Sequence, residues 1–191
     1  INEINYYIKI TIEQCLSKRQ LRERIRNKEY QRLDDKTKLK LINKEEIDIK
    51  DNIKNPIIIK NKLDIDKEIV SEKILQRLIL EDIPSFLEEL GTGYSFIKNE
   101  YKIKLGERYN YIDLLLFNIE YNCYVVVELK VTELKKEHIG QIQIYMNYID
   151  KHIKTINQDK TIGIIITKRD NHYYIEYSSD KRILTREYIL N

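Results

Sequence analysis

Between Glu13 and Arg32 the apolar residues recur at helical spacing, with Leu16, Leu21 and Ile25, then Leu33, as candidate buried positions and little Gly or Pro to interrupt them. Ile49 to Asp66 breaks that period. Pro56, in Asn-Pro-Ile-Ile-Ile-Lys (55 to 60), denies the stretch a helix, so an extended connector is expected. The helical period returns from about Asp66 through Ile83, offering Ile69, Ile74, Leu75, Leu78 and Ile79 to a core. Pro84 starts a short new helix, because proline is tolerated in a first turn, and Gly91 and Gly93 end it. Strands are then expected near 94 to 104, 109 to 118 and 123 to 131, with the short polar segment Asn118 to Asn122 turning the last two into an antiparallel hairpin. A helix from about Lys136 to His152 crosses over, with Ile139, Ile142, Met146 and Ile149 as its apolar stripe. Thr161 to Thr167 returns as a strongly apolar strand beside the hairpin, and Tyr173 to Tyr177 alternates like an edge strand. Residues 180 to 191 are ambiguous. No internal repeat competes with this plan. It predicts a helical N-terminal region (1 to 50), a linker (51 to 65) and an α/β domain (66 to 191), a mixed sheet flanked by helices.

Charge separates the first region from the rest. From Lys18 to Lys40 there are ten Lys or Arg against four acids (Glu23, Glu29, Asp34, Asp35), in a chain of 191 residues whose net charge is only +3. Such a stretch suits a phosphate backbone, and equally suits a solvated amphipathic helix packed on the second domain or on another subunit. The two cysteines, Cys15 and Cys123, lie far apart without metal-ligand spacing, and reduced, buried thiols in a cytoplasmic protein are the economical reading. No apolar run is long enough to span a bilayer and no basic-then-apolar start suggests export.

The chemistry lies in the hairpin. Asp113 sits in Tyr-Asn-Tyr-Ile-Asp-Leu-Leu-Leu-Phe (109 to 117), and Glu128 and Lys130 in Cys-Tyr-Val-Val-Val-Glu-Leu-Lys-Val (123 to 131). Charged groups in otherwise apolar strands are costly to bury unless they pair or hold a metal. Residues two apart on a strand share a face, so Glu128 and Lys130 point together while Leu129 points away. Two carboxylates offer hard oxygen ligands to Mg²⁺ or Mn²⁺, which keep waters and recruit a substrate phosphate. An adjacent ammonium would hold or help deprotonate the attacking water and neutralise charge at phosphorus. Hydrolysis of a phosphodiester is the reaction such a trio suits.

Asp113, fourteen residues, then Glu128-Leu129-Lys130 resembles the Asp...Glu-x-Lys signature of the PD-(D/E)XK nuclease superfamily. Phe-Leu-Glu-Glu-Leu-Gly-Thr-Gly-Tyr-Ser-Phe (86 to 96), Tyr-Ile-Asp-Leu-Leu-Leu-Phe (111 to 117), Val-Val-Glu-Leu-Lys (126 to 130), Gly-Gln-Ile-Gln-Ile-Tyr-Met-Asn (140 to 147) and Ile-Gly-Ile-Ile-Ile (162 to 166) resemble, in order and spacing, the C-terminal nuclease domain of the YhcG-like bacterial family. The resemblance spans roughly residues 66 to 180. It implies a restriction-endonuclease-like α/β core and a metal-dependent endonuclease, with DNA expected as the substrate over RNA and Mg²⁺ or Mn²⁺ held by Asp113 and Glu128. It further implies that Glu89, on the helix before the first core strand, is an auxiliary catalytic acid in preference to its neighbour Glu88. Gln141 and Tyr145 match a Gln-x-x-x-Tyr pair on the helix after Glu-x-Lys, either supporting the site or simply capping the sheet edge. A homodimer is expected by analogy with superfamily members that cut two strands together.

Tyr6-Tyr7-Ile8 through Leu16 to Ile25 looks like the end of the N-terminal helical region in the same family. The start at Ile1, without a methionine and in mid-pattern, leads to the expectation of a fragment lacking part of an upstream DNA-binding region. Lys135 and Lys136, just after the active strand, are placed to meet a backbone phosphate. His138, His152 and His172 are scattered and read as surface or capping groups. The fifteen tyrosines could stack on bases, but those in strands are expected to pack mainly on the core or sheet faces. The competing reading from a different class is a nucleic-acid-binding or assembly module that keeps the fold without catalysis.

Overall fold

The computed structural model describes residues 2–169, 172–176 and 178–191, and the chain divides into two compact units, Ile1–Asn55 and Pro56–Asn191. In the first, helices α1 (Asn2–Glu13), α2 (Lys18–Arg26) and α3 (Asp35–Asn43) replace the single long helix expected over Glu13 to Arg32. Two left-handed residues, Cys15 (φ 49) and Lys28 (φ 52), break it. Ser17 then caps α2 reciprocally with Gln20, which satisfies backbone donors that a continuous helix would have used internally. Of the four expected core positions only Leu33 is buried; α2 buries nothing, and Ile25 is 47 % exposed. Cys15 is exposed as well, so only Cys123 fits the expectation of buried free thiols. Tyr7, Ile10, Leu33, Ile49 and Ile53 are buried in this unit, beside a polar cluster in which the Glu29 carboxylate accepts from the Tyr6 hydroxyl at 2.7 Å and Arg24 at 3.2 Å, and lies 3.6 Å from buried Lys54. Burial works against the Glu29 charge, yet Lys54 and Arg24 outweigh it and hold its pKa below the ordinary value. A cavity of about 450 Å³ in this unit, lined in part by Tyr6, Lys9, Tyr30 and Ile42, contains none of the candidate catalytic residues.

The second unit is a six-stranded mixed sheet. Its strands are β1 (Ile57–Ile59), β2 (Tyr94–Leu105), β3 (Arg108–Asn118), β4 (Cys123–Glu133), β5 (Asp159–Arg169) and β6 (Ile183–Leu190), in spatial order β1-β6-β5-β4-β3-β2. The β2, β3 and β4 meander is antiparallel, whereas β4 to β5, β5 to β6 and β6 to β1 pair in parallel. The parallel step from β4 to β5 is made by α6 (Lys136–His152), the crossover helix read from the sequence. Residues 57–59, inside the expected connector, keep their extended form but join the sheet. Three consecutive isoleucines are buried there, and β1 pairs with β6 through Ile57↔Tyr188 to Ile59↔Leu190. The expected edge strand at Tyr173 to Tyr177 is overturned. His172–Glu176 is a short helix, α7, and Tyr177 lies outside the described residues. The last strand is instead β6, in the stretch whose sequence pattern was ambiguous.

Alternation along β4 sorts the two faces of the sheet. Val126 joins Ile142, Tyr145, Met146 and Ile149 of α6 and Ile165 of β5 in one cluster. Val125, Val127 and Leu129 are equally buried and point to the opposite face. That face is covered by α4 (Glu72–Glu81), which buries Leu75, Leu78 and Ile79, and by α5 (Ile83–Leu90); the expected core residue Ile69 is instead 66 % exposed. Ser71 caps α4, and Asp82 caps α5 by accepting from the Ser85 N–H, with Pro84 in the first turn where no intrahelical donor is lost. Gly163 of β5 fits under α6 because it has no side chain: a Cβ there would stand 2.5 Å from Met146 Sδ and 2.9 Å from Ile142 Cδ1. Gly163→Ala is therefore expected to overpack this contact and cost about 1–3 kcal/mol in chemical denaturation. An unchanged denaturation midpoint would show that α6 can shift freely.

Candidate active site

The acidic strands meet where the β3 and β4 ladder ends. Pairing runs from Asn118↔Cys123 to Leu114↔Val127. One residue further on, side chains take over the backbone's role: Asp113 Oδ2 accepts from the Leu129 N–H at 2.7 Å, and Glu128 Oε1 accepts from the Asp113 N–H at a long 3.4 Å. The hairpin turn fixes this register. Asn118 Oδ1 accepts from the backbone N–H groups of Glu120 and Tyr121, and Asn118 is itself fully buried. Lys130 Nζ stands 3.5 Å from Glu128 Oε2, as their shared face requires, while Leu129 is buried on the other face.

Electrostatically the trio is short of positive charge. Burial, and then the neighbouring Asp113 charge, push the Glu128 carboxyl up to about 8. Burial also raises Asp113; the Leu129 N–H and Lys130 offset this in part, and Glu72 and Glu100 add to it. Burial opposes the Lys130 ammonium, but Glu128, Glu72 and Asp113 outweigh it and raise its pKa above the ordinary value, so the lysine stays protonated. Two adjacent carboxylates that resist ionising together are a donor set that a divalent cation relieves. Among the described residues no cluster of three or more His, Cys, Asp or Glu is arranged as metal ligands. The donor set thus fits an ion that completes its shell with water and phosphate.

The helical acid seen against the trio is Glu72, which sequence reasoning missed. It begins α4 and lies 3.6 Å from Lys130 Nζ. One turn later on the same helix, Gln76 Nε2 donates to the Asp113 carbonyl at 3.0 Å, tying α4 to the strand. The sequence signal was a Ser71-capped first turn with Glu72 and Gln76 four apart, but nothing in it ties that helix face to β4. Glu89 is buried, and its Oε2 accepts from the Ile58 N–H at 2.9 Å, so the bond seen there secures β1.

Gln141 and Tyr145 are joined as their spacing suggested, with Gln141 Nε2 donating to the Tyr145 hydroxyl at 2.9 Å. Burial raises the Tyr145 pKa, the Gln141 bond offsets this in part, and the charges of Glu128, Lys130 and Asp113 add smaller effects. Lys135 and Lys136 are exposed at the start of α6. His138 Nδ1 accepts from the Lys135 N–H at 3.2 Å, the capping role expected of it. Burial and the nearby Lys130 charge lower its pKa.

A mixed sheet flanked by helices, carrying Asp113 and Glu128-x-Lys130 on adjacent antiparallel strands, defines a PD-(D/E)XK nuclease-superfamily domain. The chain belongs to the YhcG family: residues 50–190 match the YhcG PDDEXK nuclease domain. It is 25 % identical over 100 residues to YhcG of Escherichia coli (strain K12), a stretch covering 52 % of this chain and 27 % of that protein. The chain thus matches about a quarter of the length of that relative. Among solved structures it resembles a repair endonuclease from Pyrococcus abyssi (TM-score 0.44, 17 % identity, 64 % of this chain and 49 % of that one). It also resembles an EndoMS bound to double-stranded DNA (TM-score 0.43, 19 % identity, 66 % and 48 %). Among the described residues no helix is long and apolar enough to cross a membrane.

Proposed function

We propose that this protein is a Mg²⁺- or Mn²⁺-dependent endonuclease that hydrolyses phosphodiester bonds in DNA. The observation that carries the reading is the adjacent carboxylate pair, Asp113 and Glu128, with a protonated Lys130 3.5 Å from Glu128. Asp113 and Glu128 would hold the ion, which supplies Lewis acidity at the phosphate and neutralises charge on the leaving oxygen. Leu129 fixes the Asp113 carboxylate through its N–H, so one ligand is oriented before anything binds. Lys130, kept cationic by three acids, donates to the attacking water or to a non-bridging phosphate oxygen and stabilises the negative charge that grows there. The water oxygen bonds to phosphorus as one sugar oxygen leaves; the water loses a proton to solvent and the departing oxygen takes one up, giving a phosphate monoester end and a hydroxyl end. Gln141 and Tyr145 support the site from α6, and Lys135 and Lys136 offer charge to the flanking backbone. By analogy, a homodimer would cut two strands together.

Glu72 is assigned the auxiliary role in orienting Lys130, because its carboxylate lies 3.6 Å from the Lys130 Nζ, while Glu89 is assigned to holding β1. Glu72→Gln should then lower cleavage roughly tenfold at unchanged stability. Glu89→Ala should cost about 1–3 kcal/mol of stability by removing the acceptor of the Ile58 N–H, with activity per folded molecule retained. The opposite pattern would return the catalytic role to Glu89. The reading as a whole is tested by incubating plasmid, linear, branched and single-stranded substrates with Mg²⁺ or Mn²⁺: metal-dependent cutting supports it, and binding without cutting points to the assembly module.

A further inference from the structure

A buried hydroxyl on the strand next to Lys130 is left unused by the fold. Thr167 of β5 is fully buried, and its Oγ1 makes no hydrogen bond among the described residues. Thr161, buried earlier on the same strand, shows the usual outcome: its hydroxyl donates to Asp150 Oδ1 at 2.7 Å. Parallel pairing of β4 with β5 sets Thr167 beside Lys130, at the last pair before the register shifts. Partners across a parallel ladder point to the same face, with their strands about 4.8 Å apart. Residues two and four back identify that face. Ile165 belongs to the cluster under α6, and Gly163 lies against Met146 and Ile142. Val126 of β4 is in the same cluster, so alternation brings Glu128, Lys130 and Thr167 to the α6 side together.

Lys130 has donors to spare. Its ammonium carries three, and the structure gives it Glu128 Oε2 at 3.5 Å and Glu72 Oε2 at 3.6 Å. Both distances are well beyond the roughly 2.8 Å of a strong charge-assisted hydrogen bond. An under-used donor thus sits beside a buried acceptor that accepts nothing. We infer that Thr167 is a positioning residue for Lys130, its hydroxyl accepting from the ammonium when Glu128 is engaged by a divalent ion. The inference rests on the nuclease reading and adds a residue to it. Thr167 does not touch substrate, because its hydroxyl is sealed from solvent. Its effect is indirect. A carboxylate engaged by an ion is a weaker partner for an ammonium, and an acceptor on the neighbouring strand then keeps the lysine in place. The flexible four-carbon stem of Lys130 supplies the reach. Packing and strand preference would be met equally by valine, which leaves no polar atom unpaired, so neither accounts for the hydroxyl.

The test compares Thr167→Val, which removes the hydroxyl, with Thr167→Ser, which keeps it, in the full chain. Thr167→Val should lower kcat for plasmid cleavage with Mg²⁺ by about tenfold or more, while KM stays within about twofold. Its urea midpoint should be unchanged or raised, since an unpaired polar atom has been removed from an apolar setting. Thr167→Ser should restore most of the rate. A second readout does not depend on cutting: the ¹H–¹⁵N signal of the Lys130 ammonium in ¹⁵N-lysine-labelled protein with Mg²⁺, identified by its absence in Lys130→Ala. That signal should shift or broaden in Thr167→Val and persist in Thr167→Ser. An unchanged rate in Thr167→Val, equal losses in Thr167→Val and Thr167→Ser, or a lost rate with an unchanged ammonium signal would each overturn the inference. The nuclease reading fails separately, if the unaltered chain cuts nothing with Mg²⁺ or Mn²⁺ while the ammonium signal still responds to Thr167→Val.

Discussion

Asp113→Ala and Lys130→Ala are each expected to reduce metal-dependent cleavage by about a thousandfold or more, with the protein still folded by circular dichroism. The two losses have different causes. Removing Asp113 leaves Glu128 without its partner carboxylate, so the variant should also fail to bind Mn²⁺ in calorimetry. Removing Lys130 leaves both ligands in place, so Mn²⁺ binding should survive while turnover does not. Loss of metal binding in both variants would mean that the lysine organises the carboxylates instead of the water and phosphate. Full activity in either variant would remove the trio from the mechanism.

The second large effect is a pH dependence of stability set by Glu128. With its folded pKa raised to about 8 from an ordinary 4.5, the folded chain binds the extra proton and the unfolded chain does not. The contribution is therefore fully present below about 4.5 and is lost as pH rises through about 8, on the order of 4 kcal/mol over the whole window. Asp113, shifted in the same direction, adds to the trend. In metal-free protein the urea midpoint should fall from pH 5 to pH 8. Glu128→Gln should flatten that fall, and Mg²⁺ at about 100 times its dissociation constant should restore roughly 2.7 kcal/mol at pH 8 by binding the ionised pair. A midpoint that rises with pH in metal-free protein would contradict the buried, mutually repelling pair.

Why α6, α5 and β2 to β5 were legible while the N-terminal unit was not comes down to where the stabilising contacts lie. Residues 136 to 152 carry a three-to-four apolar period with no competing local conformation, so the helix follows from its own sequence. The same period over Glu13 to Arg32 is interrupted by left-handed Cys15 and Lys28, which neither composition nor spacing announces. β6 was unreadable for a related reason. Its Thr185, Arg186 and Glu187 do not alternate like a half-exposed strand, because the strand lies between β1 and β5 and buries Thr185 and Arg186. The tyrosine-rich stretch at 173 alternates well but forms a helix over the residues that are described.

By itself, the sequence determined the hairpin and its trio. A short polar turn between two apolar runs, with acids at fixed distances from it, leaves one register that buries the apolar residues, and that register brings Asp113 to Glu128. The sequence likewise carried the family resemblance. Tertiary structure alone decided which helical acid meets Lys130: the sequence pointed to Glu89, and only the path of α4 across the sheet brings Glu72 there instead. It also decided which of the fifteen tyrosines face solvent beside lysines. The physical reason is the same in both cases: strand periodicity fixes neighbours two residues apart, whereas contacts between a helix and a strand depend on packing angles that no local pattern encodes.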